Sequence, residues 1–286
     1  MTTLVTLTGT GVPHPAPGRA GAGTLVRYND ISLQFDAGRG TVLRLLDAGA
    51  SVLNLTALFV THYHSDHVVD LADVAMTRWI QQQLAKTGPL PIIVPDGPCR
   101  RFAERMLDAY EDDIHVRREH VGADEPRIDL SSFAVPTVPT EVWRSADGNV
   151  RVSAMGVRHE PVQAAVAYRV DTPDGAVVIS GDTRVCEETF ELAAGADVVV
   201  HEACRRTAMT ETTKNSVFAT IFDYHADTVE LGAMAEKHGI PHVMLTHLIP
   251  APATPEHEQK FADDLRRGGY TGTVTVGRDL VTVTLG

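Results

Sequence analysis

The stretch Thr61-His62-Tyr63-His64-Ser65-Asp66-His67 places three histidines and a carboxylate side by side. It follows Ala57-Leu58-Phe59-Val60, an apolar run with the length and bulk of a buried strand. The polar cluster therefore stands at a strand end. In extended backbone alternate side chains share a side, so His62 and His64 can converge on one metal ion. Asp66 and His67 fall where the chain turns into a helical pattern carried by Val68, Leu71, Val74 and Ala75, and so aim elsewhere. Two directions from one loop point to two metals. Imidazole and carboxylate donors suit zinc, iron or manganese, and no thiolate lies nearby to bias the choice.

A chain of 286 residues with 43% hydrophobic content can close a sizeable core. Its 25 Lys plus Arg against 37 Asp plus Glu give a net charge of -12, so the average surface repels polyanions unless they meet a local cationic site. Cys99, Cys186 and Cys204 lack metal-ligand spacing, and an odd count with no signal peptide points to a reducing, cytoplasmic location. No apolar run approaches the ~18 residues of a membrane span, so no membrane partner is expected.

Around the cluster the chain alternates strand and helix patterns. Strands are expected at 4–8, 24–28, 31–35, 57–60, 91–94, 150–157, 164–170, 176–180, 197–200, 242–246, 273–276 and 280–284. Helices are expected from a Thr41 cap to Gly49, at 67–85 with Trp79 and Ile80 in the core, at 99–110, 187–193 and 225–238, and after a Thr254 cap with Pro255 in the first turn. The Gly9-Thr10-Gly11 loop reads as a backbone turn, since no Gly-Lys-Ser/Thr or helix follows it. Residues 111–148, charged and Pro-rich, read as short strands and loops at the boundary between two halves, 1–148 and 149–286, of a single domain. Residues 203–224 lack a period and hold Arg205, Arg206, Lys214, Phe218, Phe222 and Tyr224, the features of a long functional loop. His115, His120 and the Arg117-Arg118 pair read as solvated surface.

His62, His64, Asp66, His67, His159, Asp182 and His247 all fall just beyond expected strand ends, where a layered α/β protein gathers its site. The His-X-His-X-Asp-His pattern resembles the metallo-β-lactamase superfamily, and within it the ribonuclease Z-like branch. Further matches are the opening Leu7-Thr8-Gly9-Thr10-Gly11, Phe35-Asp36-Ala37-Gly38-Arg39-Gly40-Thr41, Ser180-Gly181-Asp182-Thr183, His201-Glu202-Ala203 and Leu245-Thr246-His247. The resemblance implies an αββα four-layer sandwich with the site at one edge of two sheets. It also implies that His62, His64 and His159 hold one divalent metal and Asp66, His67 and His247 the other. Asp182 would bridge both together with a hydroxide, zinc being the first expectation for both ions. Asp36 would orient a ligand from behind. Asp66, Glu202 and His225 are the catalytic candidates by the same resemblance, the last two around a scissile phosphate. A carboxylate beside an imidazole favours imidazolium, which can bind a phosphoryl oxygen or protonate a leaving oxygen. His201 is expected to pack or brace, and His14, His238, His242 and His257 to be structural.

Ribonuclease Z proper carries a long tRNA-gripping arm between the positions of His159 and Asp182, whereas only residues 160–181 lie between them here. The Gly-His-Ser-Thr segment of that enzyme is replaced by Tyr224-His225-Ala226-Asp227. The expectation is a dinuclear metallohydrolase acting on a small-molecule or nucleotide phosphodiester. Its rivals are a tRNA 3′-end endonuclease, a carboxylic ester, lactone or aryl sulfate hydrolase, and a non-catalytic binding relative. Nucleic acid is not the favoured partner, and homodimer formation is left open.

Overall fold

The computed structural model of the protein describes residues 2–85, 87–213 and 217–286. Lys214 and the side chain of Phe218 lie outside the described residues. In chain order the strands are β1 (Thr3–Gly9), β2 (Gly23–Tyr28), β3 (Ile31–Phe35), β4 (Ala57–Phe59), β5 (Leu90–Pro95), β6 (Ile128–Phe133) and β7 (Thr140–Arg144). They continue with β8 (Arg151–Gly156), β9 (Val166–Thr172), β10 (Gly175–Ile179), β11 (Val198–Cys204), β12 (His242–Ile249), β13 (Thr273–Val276) and β14 (Thr282–Leu285). They form two sheets, ordered β14-β1-β2-β3-β4-β5-β6 and β13-β12-β11-β10-β9-β8-β7. Sheet membership thus changes between Phe133 and Thr140, and the last strand crosses back to pair with β1.

The central strands bury both faces, which is why they read as continuous apolar runs. Alternate residues divide between layers. Val166, Tyr168 and Val170 of β9 join Phe35, Phe59 and Ile93 of the first sheet in a core between the sheets, while Ala167 faces outward. Leu58, Ile92 and Val94 turn to the outer face of the first sheet against the helices Thr41–Asp47 and Leu71–Ala85. Val178, Val199 and Val243 pack the other outer face, against the helices Glu187–Leu192, Thr228–Lys237 and Pro255–Arg267. Three apolar interfaces make a four-layer αββα sandwich. Among the described residues no helix is long and apolar enough to cross a membrane.

Parallel pairing sets the site's location. β3, β4, β5 and β6 run parallel in the first sheet, as do β10, β11, β12 and β13 in the second. Parallel strands bring their carboxyl ends to one edge, where the loops that follow them meet.

Several expected elements differ. Residues 111–121 form a helix, Glu111–Val121, not strands and loops. It buries none of its residues and is braced along its surface by Asp113–Arg117, so no apolar period marks it. The 203–224 segment contains two helices, Arg206–Thr213 and Val217–Phe222. The expected 67–85 helix is a short turn, Ser65–Val68, followed by Leu71–Ala85, and Ile80 stands 40% exposed where a core position was expected. Thr41 is not a cap: Gly40 holds that position, and the Asp70 carboxylate accepts from the Gly40 and Thr41 amides instead. Asp227 caps the Thr228–Lys237 helix, leaving His225 ahead of it in the preceding turn.

Candidate metal centre

Asp36 follows β3 with a φ of 60°, a left-handed conformation that is uncommon outside glycine. Its carboxylate accepts from the Thr61 amide at 2.7 Å, the Thr61 hydroxyl at 2.8 Å and His67 Nδ1 at 2.8 Å. One side chain thereby fixes both ends of the His-rich loop. Gly38 lets this strand end lie against that loop: a Cβ there would stand 2.3 Å from the Asp66 carbonyl oxygen. Gly181, at φ 59°, does the same for the loop after β10, where a Cβ would meet Thr61 at 2.7 Å.

His247 was expected just past the end of a strand, and it lies within one. Glu202 pairs with Thr246 and Ala203 with Leu248, so His247 is the extra residue of a bulge, at φ 45°. A bulge re-aims one side chain without ending the ladder. Alternation along β11 separates its two polar residues: Glu202 turns toward the site, while His201 faces the helical layer, its ring 6.2 Å from that of Phe190. His201 Nδ1 donates to the Glu202 carbonyl at 2.8 Å, which ties the ring to its own strand.

Among the described residues the expected ligands gather into two clusters, and a third group, Asp182, His225 and His247, overlaps them. In each, one ligand-type atom per residue lies within 4.8 Å of the others: His62, His64, His159 and Asp182 in one, Asp66, His67 and His247 in the second. Asp182 faces both. Its Oδ1 is 3.3 Å from His67 Nε2, and its Oδ2 is 3.4 Å from His247 Nε2, 3.9 Å from His62 Nε2 and 4.0 Å from His159 Nε2. His64 presents Nδ1, 3.2 Å from His159 Nε2. Behind the rings, His159 Nδ1 meets the Tyr224 carbonyl at 3.2 Å and His67 Nδ1 meets Asp36, leaving each Nε2 for the cluster.

Cations fit these residues. His62 Nε2, His67 Nε2 and Asp182 Oδ1 are buried without a hydrogen-bond partner among the described residues. Buried polar atoms normally find partners, and a metal supplies one. Four carboxylates, Asp36, Asp66, Asp182 and Glu202, are each no more than 4% exposed, a concentration of negative charge that calls for compensation. Burial lowers the pKa of His62, His64 and His159, keeping them in the neutral form that coordinates. Burial works against charge on His67 too, but Asp182, Asp36 and Asp66 outweigh it and raise its pKa well above the ordinary value. Burial would raise Asp182, yet His247 and His67 hold it well below the usual carboxylate range.

His225 stands beside the second cluster, its ring stacked on that of His247 at 5.5 Å. Its Nδ1 is 2.9 Å from Glu202 Oε1. Burial opposes its protonation, but the Glu202 carboxylate raises its pKa to about 9. Glu202, fully buried, also accepts from the Thr183 and Ala226 amides at 2.8 and 3.2 Å.

A cavity of about 580 Å³ opens onto these groups, with His64, Asp66, Asp182, His225 and His247 at its floor. His14, expected to be structural, lines it, as does Tyr224, whose ring is 5.2 Å from that of His159. No spacing rule marks either residue; only the folded loops bring them to the floor. His238 and His242 lie outside, bonded to Glu187 and Thr275.

The beta-lactamase superfamily domain matches this chain over residues 35–248. Ribonuclease Z of Mycobacterium bovis (strain BCG / Pasteur 1173P2) is 34% identical over 278 residues, 96% of each chain. Among solved structures, the metallo-beta-lactamase fold protein YhfI from Bacillus subtilis superposes with a TM-score of 0.76 at 19% identity, covering 99% of this chain and 100% of that one. Human tRNase Z, short form, does so with a TM-score of 0.69 at 19% identity, covering 99% of each. A conserved architecture with two candidate metal clusters at its sheet edge and homology along nearly the whole length lead to one assignment: the chain belongs to the metallo-β-lactamase superfamily of metal-dependent hydrolases and is homologous to its ribonuclease Z members.

Proposed function

We propose that the protein is a dinuclear phosphodiesterase acting on a small-molecule or nucleotide phosphodiester, in which His62, His64 and His159 would hold one divalent ion and Asp66, His67 and His247 the other, with Asp182 facing both groups. Zinc suits this donor set of imidazoles and carboxylates without thiolate. Two such ions, when bound, lower the pKa of a shared water and neutralise charge on the oxygens of an in-line displacement.

The observation that carries the proposal is the Glu202–His225 pair at the edge of the two clusters, 2.9 Å apart. Glu202 accepts from His225 Nδ1, which leaves Nε2 as the nitrogen available to a substrate. Held as imidazolium, His225 donates from that nitrogen to a phosphoryl oxygen or to the departing oxygen. The proton then resides on the leaving alcohol, and the neutral ring regains one from solvent. Glu202 is anchored by two backbone amides, so the pair cannot swing away from the floor. Tyr224 and Asp36 act on geometry, the first through its carbonyl on His159 and the second through His67.

A ribonuclease Z activity is the second reading, favoured by proteins of that name that are 34–37% identical over 96% of this chain. It shares the bond cleaved and differs in the substrate's size. Zinc-loaded protein tested on a bis-aryl phosphodiester, a phosphomonoester, an aryl sulfate, a lactone and precursor tRNA separates these. Turnover of the diester far above the others supports the first reading. Cleavage of precursor tRNA at a defined 3′ site, with little small-diester turnover, establishes the second, and turnover of the lactone or sulfate alone defeats both.

A further inference from the structure

The floor of the cavity is polar and its walls are not. Among the described residues those walls are built by Val12 and Pro13 from the loop after β1, Met209 from the helix Arg206–Thr213, Ile221 and Phe222 from the helix Val217–Phe222, and Ile249 and Pro250 from the end of β12. Val12, Phe222 and Ile249 pack together with Cys204 in an apolar cluster of their own, separate from the three apolar interfaces of the sandwich, with Ile221 against it. The walls are tied down by polar contacts behind them. Asp279 accepts from the Thr10 and Ala20 amides at 3.0 and 2.7 Å, clamping both ends of the N-terminal loop. Arg206 donates to the Phe222 and Asp223 carbonyls at 3.1 and 3.3 Å, holding the end of the Val217–Phe222 wall.

Among the described residues lining this cavity there is no lysine and no arginine. A polyanion depends on such cations along its path, each phosphate beyond the first needing its own partner. An apolar wall gains nothing from a second phosphate and desolvates it at a cost. It gains from every methylene it takes out of water. A volume of about 580 Å³ accommodates a group the size of a small drug.

We infer that the Val12, Ile221, Phe222 and Ile249 walls select a substrate with a single anionic phosphoryl group carrying an uncharged apolar substituent, aliphatic or aromatic, which the walls enclose while the phosphoryl group meets the floor. This rests on the phosphodiesterase proposal for the identity of the anionic group, and it excludes oligonucleotides and nucleoside polyphosphates as preferred ligands.

The test is calorimetric binding of n-alkylphosphonates, methyl to octyl, to the zinc-loaded protein, with a trinucleotide as the polyanionic comparison. Affinity is expected to rise about fourfold per methylene until the cavity is filled. Ile221→Ser, at a half-buried wall position, is expected to flatten that rise while leaving methylphosphonate affinity unchanged. The retained methylphosphonate affinity shows that the variant has folded, and Pro13→Ser, at an exposed wall position, is expected to flatten the rise in the same way. A flat chain-length series, or a trinucleotide bound more tightly than octylphosphonate, overturns the inference. Turnover of bis(4-nitrophenyl) phosphate by the same preparation separates the two proposals. A rising series without turnover upholds the pocket and defeats phosphodiester chemistry, whereas a flat series with turnover does the reverse.

Discussion

Asp36 Oδ2 accepts a 2.8 Å hydrogen bond from His67 Nδ1, although Asp36 must adopt a φ of 60° to do so. A carboxylate can only accept, so Nδ1 carries a proton and Nε2 is the nitrogen directed at Asp182 and Asp66, 3.3 and 3.7 Å away. Strain at a single residue is offset by three hydrogen bonds that orient a proposed ligand. Asp36→Asn keeps a residue tolerant of positive φ but weakens the acceptor facing His67. Zinc affinity is expected to fall about 10–100-fold, the usual effect of losing a partner behind a metal ligand. Chelator competition measures it, and unchanged affinity would remove Asp36 from the metal site.

Metal content distinguishes the clustered histidines from those outside. Elemental analysis of protein isolated with zinc is expected to find about two ions per chain. His64→Ala removes a donor from the first cluster and should lower both zinc content and diesterase activity. His257→Ala, in the first turn of the Pro255–Arg267 helix, should change neither. Active protein without any transition metal would defeat the dinuclear proposal.

The His-rich loop was legible because ligand-type residues recur at the spacing of a strand end, and the αββα layers through the family resemblance that this loop and its companion motifs carry. Elements that bury nothing were not. The Glu111–Val121 helix offers no apolar stripe, so its helicity rests on local ion pairs that composition does not distinguish from a loop. His225 is a second case: a helical pattern runs back through it, but the Asp227 carboxylate accepts from the Val229 and Glu230 amides and starts the helix later. The cavity walls were the least visible feature. Phe222 stands in the expected functional loop, but Val12 and Ile249 read locally as ordinary apolar residues, and only tertiary structure puts the three together.

The metal-free protein should show a stability plateau bounded by two titrations. Burial opposes charge on both Asp66 and Asp182, but neighbouring histidines lower their pKa values, so their contribution exists above the ordinary value of 3.8 and is lost as pH falls. For His225 burial opposes charge and Glu202 prevails, raising the pKa from 6.5 to about 9. Its contribution is complete below 6.5 and is lost as pH rises through about 9. Thermal unfolding after zinc removal should therefore weaken across that alkaline window by up to about 3 kcal/mol from this group. His225→Gln should make the decline shallower. Equal alkaline slopes in both proteins would show that the Glu202–His225 pair does not stabilise the fold.

The leaving group provides the sharpest test of His225 in the zinc-loaded protein. Diester cleavage expels an oxygen from a centre that keeps negative charge, so a donor aimed at that oxygen aids both its departure and the electrostatics. A carboxylic ester leans more on polarisation of its carbonyl. His225→Ala should lower diester turnover about 10²–10⁴-fold, the scale of a positioned acid or base, with zinc content unchanged. The loss should be small for a nitrophenolate, which departs without a proton, and largest for an alkoxide. Glu202→Gln should act in the same direction but more weakly, since the ring remains and loses only its charged partner at 2.9 Å. If His225→Ala slows both leaving groups equally, His225 binds phosphate without protonating the departing oxygen. If neither is slowed, the pair takes no part in the reaction, and its 2.9 Å contact serves the structure alone.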